Sequence, residues 1–167
     1  MRTSPTSRKD TSATPLATIG YQGATMPEFL AALEAAGVEL LVDVRAVTSS
    51  RRPGFSKHAL TAHLATVGIE YLHLRGLGTP ADGRAAARAG RHDRLRTIYG
   101  AHLATPAAES DLAVLSDIVR SGRRACLLCF EADPAHCHRS LVAGALAGHV
   151  PLEVVHLAPH DTSSDLE

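Results

Sequence analysis

Short apolar runs alternate with amphipathic segments along the middle of the chain. The runs are rich in Val, Leu and Ile and are bounded by Gly or polar residues, which is typical of strands buried within a sheet. They cover residues 16–21, 38–44, 69–74, 125–130 and 152–157. Because helical segments separate these runs, the pattern predicts an α/β fold, namely a three-layer Rossmann-like sandwich with a mainly parallel sheet of about five strands.

Apolar residues that recur at helical spacing predict the helices between those strands. The predicted helices cover residues 26–37, 57–68, 91–104, 109–122 and 138–147. Thr25 and Ser110 are the expected N-caps of the first and fourth helices, and Gly37 is the expected stop of the first. Residues 75–90 are predicted to form a loop that could include a helical turn.

Both ends of the chain differ from this central part. Residues 1–15 are rich in Ser, Thr and Pro and are predicted to form a disordered N-terminal arm. Residues 159–167 are polar and acidic and are predicted to form a flexible C-terminal tail. The part between them, residues 16–158, is predicted to be a single α/β domain.

Composition excludes several classes of protein. The chain has 167 residues, of which 45% are apolar and 20% charged, so it is not a disordered protein. The balance of 17 basic and 17 acidic residues excludes a uniformly basic nucleic-acid coat. No run approaches the roughly 18 apolar residues of a membrane span, and the N-terminal residues lack the apolar core of a secretory signal. We therefore expect a cytoplasmic protein with no membrane partner.

The three cysteines all lie between positions 126 and 137, and such a set does not make a disulfide framework. An odd count without a secretory signal is typical of a reducing compartment. Cys126 lies inside an apolar run and is expected in the core. Cys129, at the end of that run, fits either the core or a site, whereas Cys137 has no apolar surroundings to explain it.

Ligands of parallel sheets bind beyond the carboxyl ends of the strands, where this chain concentrates polar residues. Those chosen as candidates are Gly20, Tyr21, Asp43, Arg45, Ser50, Arg51, Cys129, Glu131, Cys137, His138 and Arg139. Two of the loops are also basic, since residues 45–57 carry four cations and no acid, and residues 75–96 carry six arginines. Arginine forks suit phosphate or carboxylate, so the predicted partner is an anionic small molecule or nucleotide. Nucleic acid is a less favoured partner, and a plain surface preference for Arg over Lys is the structural alternative.

The segment that begins the last predicted helix carries the main candidates for catalysis. A helix N-terminus stabilises a thiolate, so Cys137 is the nucleophile candidate. His138 is a candidate base, although neighbouring helical residues point about 100° apart, which argues against direct pairing. Arg139 could hold the anion, and Glu131 or Asp43 could transfer protons. Asp43 could equally be a carboxylate that caps a helix or pins a loop, and Arg45 could simply pair with Asp43 or Glu131.

A metal site is an alternative use of the same atoms. Five potential ligands fall within ten residues, namely Cys129, Glu131, His136, Cys137 and His138. A structural zinc site usually combines two elements that are well separated in sequence, and here the second is missing unless His73 or His156 joins it. No metal is therefore assigned, and no cofactor can be identified.

Several of these residues also resemble a known family. Its pattern is matched, in order, by Thr18, Ile19, Gly20, Tyr21, Gln22, Gly23, Phe29, Leu30, Leu41, Val42, Asp43, Val44, Arg45, Ser50, Arg51, Phe55, Leu60, Tyr71, Leu77, Gly78, Leu128, Cys129, Glu131, Cys137, His138 and Arg139. This chain is similar to the family called domain of unknown function 488 from residue 18 to about 147. The resemblance implies a Rossmann-like α/β sandwich and no settled activity. It departs from the family at Phe130, where a small residue is expected, and over residues 79–104, where only Tyr99 matches.

The leading hypothesis is an enzyme-like α/β domain that binds a phosphate-bearing small molecule or nucleotide beside the Cys-x-Glu and Cys-His-Arg segments. A non-catalytic module for nucleotides or nucleic acid is one alternative, and a metal-binding or thiol-redox protein is another. The sequence does not decide whether the protein is an enzyme, and it says nothing of the oligomeric state.

Overall fold

A computed structural model describes residues 13–159 of the chain. The strands are β1 (Thr14–Gly20), β2 (Leu40–Asp43), β3 (Glu70–His73), β4 (Ala125–Cys129) and β5 (Leu152–Leu157). The α-helices are α1 (Met26–Ala35), α2 (Lys57–Ala65), α3 (Ala81–Arg88), α4 (His92–Leu103), α5 (Pro106–Arg120) and α6 (His138–Ala147). Short 3-10 helices follow β3 at Arg75–Leu77 and precede α6 at Pro134–His136.

The predicted terminal segments fall largely outside the described residues. Of the expected arm, residues 1–12 are not described, and Thr14 and Pro15 belong to β1. Of the expected tail, only residue 159 is described. Among residues 13–159, no helix has the length and apolarity that crossing a bilayer requires.

The five strands form one sheet in the order β3-β2-β4-β1-β5, and every neighbouring pair is parallel. This confirms the predicted α/β sandwich and its parallel sheet. All residues of β2 and β4 are buried because these strands lie inside the sheet with helices on both faces. Their continuous apolar sequence, without alternation, is the consequence of that double burial.

Each face of the sheet has its own apolar layer. One layer packs α1 and α2 onto the sheet through Phe29, Leu33, Leu60 and Leu64, against Ile19, Leu41, Cys126 and Leu128. The other packs α4, α5 and α6 through Tyr99, Leu115, Val119, Val142 and Leu146, against Leu16, Leu40, Val42 and Leu127. Side chains along β4 alternate between the two layers, as the two-residue period of a strand requires.

The strand order creates a crevice between β2 and β4. The chain leaves β2 toward α2 on one face of the sheet, and it leaves the neighbouring β4 toward α6 on the other face. Loops that diverge in this way open a gap beyond the carboxyl ends of the two strands, which is where ligands bind in open α/β sheets. The fold therefore places a binding crevice next to Asp43 and Cys129, the last residues of these strands.

Local chemistry explains where α1 begins and ends and where α5 begins. Thr25 caps α1, since its Oγ1 accepts a hydrogen bond from the backbone N–H of Glu28 at 3.3 Å. Gly37 follows the helix with φ of 68°, a conformation that glycine adopts without strain. Helix α5 differs from expectation, because it begins at Pro106 and is capped by Thr105 rather than by Ser110. The Thr-Pro pair supplies the cap and a first residue that needs no N–H partner.

Residues 75–90 also differ from the expected loop, since they include all of α3. Only Gly83 and Ala86 of α3 are buried, so the helix has no stripe of large apolar residues. The periodic signal that revealed the other helices was therefore absent.

We predict that Thr105→Ala lowers the free energy of unfolding by about 1 kcal/mol, the usual cost of losing an N-cap. The Thr105 Oγ1 accepts from the Ala108 N–H at 3.4 Å, and alanine leaves that group without its partner. Ser110→Ala is the matched control and should change stability little, because Ser110 is exposed within α5. Urea unfolding of both variants checks this, and equal losses would contradict the observed helix start.

Candidate functional site

A cavity of about 270 Å³ lies in the crevice beyond β2 and β4. Its lining comes from the loops after β1, β2 and β4, the end of β4, the start of α6, the segment before α3, and helices α3 and α4. Of the predicted site residues, six line it, namely Tyr21, Arg45, Cys129, Glu131, Cys137 and His138. The sheet thus brings together candidates that are more than one hundred residues apart in sequence.

A buried ion pair follows β2 directly. Asp43 Oδ1 and Oδ2 accept from Arg45 Nε and Nη2 at 2.9 and 2.7 Å, and the Arg45 backbone N–H donates to Oδ1 at 3.1 Å. The Tyr71 hydroxyl donates to Oδ2 at 2.5 Å, and burial together with this bond raises the pKa of Tyr71. Each carboxylate oxygen therefore has two donors. These contacts favour the loop-pinning role of fully buried Asp43 over proton transfer.

Arg45 is held in place as firmly as its partner. Its Nη1 donates to the Phe55 carbonyl at 2.8 Å and to the Tyr21 hydroxyl at 3.2 Å. Burial acts to lower the pKa of Arg45, but the hydrogen bonds and charge of Asp43 outweigh it and raise that pKa. The guanidinium contributes fixed positive charge to the cavity wall.

The loop after β2 is organised around Tyr21. The Tyr21 ring stacks on Phe55 with centroids 4.6 Å apart, and its hydroxyl donates to Ser50 Oγ at 3.4 Å. The Ser50 backbone N–H donates to Ser56 Oγ at 2.9 Å, so Ser50 shapes the loop. Arg51 is exposed, and neither Ser50 nor Arg51 is among the described residues that line the cavity.

Arg139 and Gly20, both predicted to bind ligand, lie behind the cavity wall. Arg139 is fully buried. Its Nε donates to Thr18 Oγ1 and its Nη2 donates to the Ala132 carbonyl, both at 3.1 Å. Its Nη1 donates to the Glu131 carbonyl. Burial lowers the pKa of Arg139. A Cβ on Gly20 would overlap that same Glu131 carbonyl. The two residues hold the loop after β4 against β1, and the guanidinium is already occupied by backbone oxygens.

Cys129 and Cys137 form a disulfide, which the sequence analysis did not predict. Cys129 ends β4, while Cys137 is the N-cap of α6 with an extended backbone of φ −127° and ψ 147°. The expected free nucleophile is therefore bonded in this structure. The free cysteine is Cys126, which is buried in the core as predicted, and its burial raises the pKa of its thiol.

His138 lies beside both sulfurs of this disulfide. Its Nδ1 is 3.7 Å from Cys129 Sγ and 3.8 Å from Cys137 Sγ. Direct pairing with Cys137 was not expected, and it occurs because Cys137 is extended rather than helical. The His138 Nε2 lies 2.6 Å from the Val44 carbonyl, so Nε2 carries the proton and Nδ1 presents a lone pair to the sulfurs. Burial lowers the pKa of His138 to about 4, so the imidazole is neutral at pH 7.

Helix α3 adds two cations that the sequence analysis did not choose. Arg84 and Arg88 lie one helical turn apart and both line the cavity. Arg84 Nη1 donates to the Thr79 carbonyl at 2.9 Å, which fixes its guanidinium at the wall. The basic segment 75–96 was a signal for such residues, but without a predicted helix it could not say which arginines share a face.

The outer part of the cavity is mixed in character. Phe130 is 41% exposed and packs edge-on against Tyr21, with centroids 5.3 Å apart. Glu131 and His136 stand nearby, and burial raises the pKa of Glu131. His136 stacks on His92 of α4 with centroids 4.3 Å apart, which ties this rim to the helical wall. The cavity can thus accept both an anion and a flat apolar group.

Comparison with known proteins places the chain in a family. The family model described as "Domain of unknown function DUF488" matches residues 25–146. No curated protein and no solved structure matches the chain.

Proposed function

The chain belongs to the DUF488 family, whose description names no activity, and on that premise we propose that it binds a phosphate-bearing small molecule or nucleotide in the cavity beyond β2 and β4. The observation that carries this proposal is the shared position of Arg84 and Arg88 on the cavity wall. Two guanidiniums one turn apart can donate several hydrogen bonds to one phosphate.

Neighbouring charges support an anionic ligand. Arg45 also lines the wall, but the fully buried Asp43 is its counter-ion, so this pair adds little net charge and the cations of the wall are Arg84 and Arg88. Glu131 is the acidic residue in the lining, and burial raises its pKa. Arginines on the wall of a cleft raise the local concentration of anions and speed their binding.

The apolar part of the lining supports an organic ligand rather than inorganic phosphate alone. Phe130 and Tyr21 contribute aromatic rings to the lining, and Val47 and Leu95 contribute aliphatic side chains. A nucleobase or another flat group stacked on Phe130 would leave its phosphate near α3. Ligand pockets commonly combine such apolar walls with a few polar groups that fix orientation.

The floor of the cavity makes the proposed domain enzyme-like. Cys129, Cys137 and His138 line it, and reduction of the disulfide would make the two sulfurs nucleophilic beside the lone pair of His138 Nδ1. In this proposal Asp43 orients Arg45, while Arg139 and Gly20 support the loop that carries Glu131. Nucleophilic attack by either sulfur requires the reduced thiols. This requirement is consistent with a cytoplasmic protein whose disulfide is transient.

We predict that replacing both wall arginines, Arg84→Gln with Arg88→Gln, raises the Kd for a nucleotide at least about tenfold. A hydrogen bond to a charged group contributes about 1.5–3 kcal/mol, and about 1.4 kcal/mol corresponds to a factor of ten. Calorimetric titration with a panel of ribonucleotides, their nucleosides and pyrophosphate measures the effect. Nucleosides should bind more weakly than their phosphates.

The matched control is Arg94→Gln, because Arg94 is exposed on α4, lies in the same basic segment and does not line the cavity. It should leave the Kd unchanged. If no phosphate binds, or if Arg94→Gln weakens binding as much as the double variant, the proposal fails. Binding of oligonucleotides that falls steeply with salt and ignores Arg84 would instead support the nucleic-acid alternative.

A further inference from the structure

We propose that the reduced chain binds one zinc-class divalent cation through the sulfurs of Cys129 and Cys137 and the Nδ1 of His138. The fourth coordination position would face the cavity. This site is separate from the anion contacts on α3, so it does not require the proposed ligand.

The spacing of the three atoms supports tetrahedral coordination. The three ligand atoms lie within 4.8 Å of one another, and Nδ1 is 3.7 and 3.8 Å from the two sulfurs. Zinc–sulfur and zinc–nitrogen bonds of about 2.3 and 2.05 Å at tetrahedral angles place N and S ligands about 3.6 Å apart and two S ligands about 3.8 Å apart. Nδ1 already has that spacing. Only the two sulfurs must separate, and their Cα atoms are 7.2 Å apart.

The histidine is prepared as a ligand. A metal-binding imidazole usually donates its second N–H to a carbonyl or carboxylate, which fixes the ring and the tautomer. His138 does this through Nε2 and the Val44 carbonyl, 2.6 Å apart. The ring is buried, and the hydrogen bond to Val44 keeps Nδ1 directed toward the sulfurs.

Charge balance also favours a dication at this position. Two thiolates neutralise it, and Cys137 is the N-cap of the ten-residue helix α6, where the helix field stabilises a thiolate. Soft sulfur ligands with one imidazole suit zinc-class ions rather than magnesium or calcium. Arg84 and Arg88 then draw an anion, not a protein side chain, toward the open position.

Other histidines near the strand ends are already engaged. His73 Nε2 lies 2.8 Å from the Arg45 carbonyl, and His156 Nδ1 lies 2.5 Å from Thr18 Oγ1. Within residues 13–159, the ligand group therefore consists of two cysteines and one histidine. Three protein ligands with an open position are the arrangement of catalytic rather than structural zinc sites.

The disulfide and the metal site exclude each other, because a disulfide sulfur has no thiolate charge to donate. A phosphine reductant and one water convert the disulfide into two thiols and a phosphine oxide. The dication then displaces one proton from each thiol and binds two thiolates and the neutral imidazole. Oxidation of the thiols by a disulfide reagent would release the metal, yielding two reagent thiols.

The test is a titration of the full chain with Co²⁺ under anaerobic conditions, after the phosphine has been removed. Reduced protein should bind one Co²⁺ per chain and show thiolate-to-cobalt charge transfer with tetrahedral ligand-field bands, and added Zn²⁺ should remove both. The oxidised protein should show neither. If reduced protein that is folded by circular dichroism gives no thiolate-to-cobalt band, the proposal is overturned.

Variants locate the ligands. Cys129→Ser and Cys137→Ser should abolish the charge-transfer band, and His138→Asn should weaken Co²⁺ binding at least about tenfold. Cys126→Ala is the matched control, since it removes the third cysteine and should retain the full band. Loss of the band in Cys126→Ala alone would contradict the assignment. The Co²⁺ titration contains no nucleotide or phosphate, so a failure to bind Co²⁺ leaves the anion proposal standing. A failure to bind nucleotides likewise leaves the metal proposal standing.

Discussion

Replacing Asp43 by Asn should lower the free energy of unfolding by about 3–5 kcal/mol, because it leaves a buried guanidinium without its counter-ion. Asn has nearly the same volume as Asp, so the loss reports charge rather than a cavity. The Arg45 side chain is 6% exposed, and water cannot replace the lost carboxylate. Chemical denaturation at pH 7 with circular dichroism detection measures the change.

The control for this prediction is the ion pair between Asp93 and Arg96, which lies on the surface with Asp93 almost fully exposed. Asp93→Asn also removes one carboxylate from an arginine pair, yet exposed pairs contribute little to stability. It should leave the unfolding curve nearly unchanged. Equal effects of the two substitutions would mean that Asp43 does not neutralise a buried charge.

Gly20→Ala should destabilise the protein by about 3 kcal/mol and also disturb the cavity. The added Cβ would overlap the Glu131 carbonyl and lie 2.7 Å from Arg139 Nη1, and neither group is the free end of a flexible side chain. The loop after β4 must then move away from β1, which weakens the bonds that Arg139 makes to it. Thermal unfolding and the nucleotide Kd should both worsen.

Gly100→Ala provides the comparison, because a Cβ there meets open space on helix α4. Alanine in an exposed helix interior stabilises by about 0.5–1 kcal/mol relative to glycine. The two substitutions should therefore have opposite signs. Stability of Gly20→Ala equal to that of the unmodified chain would disprove the close approach of the two loops.

The positions of the strands and their parallel arrangement were largely predictable from sequence, whereas their order in the sheet was not predicted. Runs such as 38–44 and 125–130 are apolar throughout because helices cover both faces, and that double burial is visible in composition alone. The rule that ligands bind at strand carboxyl ends then placed Arg45, Cys129 and Glu131 at one site. The family resemblance stated from the same residues agrees with the match over residues 25–146.

The functions of individual arginines were not predictable in this way. A sequence identifies an arginine, but it does not show whether backbone carbonyls or a carboxylate already accept the hydrogen bonds of its guanidinium. Arg139 is held by carbonyls of the loop after β4, whereas Arg84 and Arg88 reach the cavity. Helix α3 was not predicted because it buries only Gly83 and Ala86. These small residues do not produce the hydrophobic periodicity by which a helix is recognised in a sequence.

The grouping of Cys129, Cys137 and His138 depends on the backbone conformation of one residue, Cys137. A helical Cys137 would point away from His138, and that geometry was the reason to doubt their pairing. The extended N-cap conformation turns the sulfur toward both His138 and Cys129. An N-cap residue is non-helical by definition, but a sequence does not fix the helix start to within one residue.

A crystal structure of the chain soaked with a ribonucleoside monophosphate tests the central claim most directly. We expect its phosphate within hydrogen-bonding distance of Arg84 and Arg88, with the base against Phe130 above the Cys129 and Cys137 sulfurs. A phosphate bound instead on the outer surface of α4, with the cavity empty, would contradict the account.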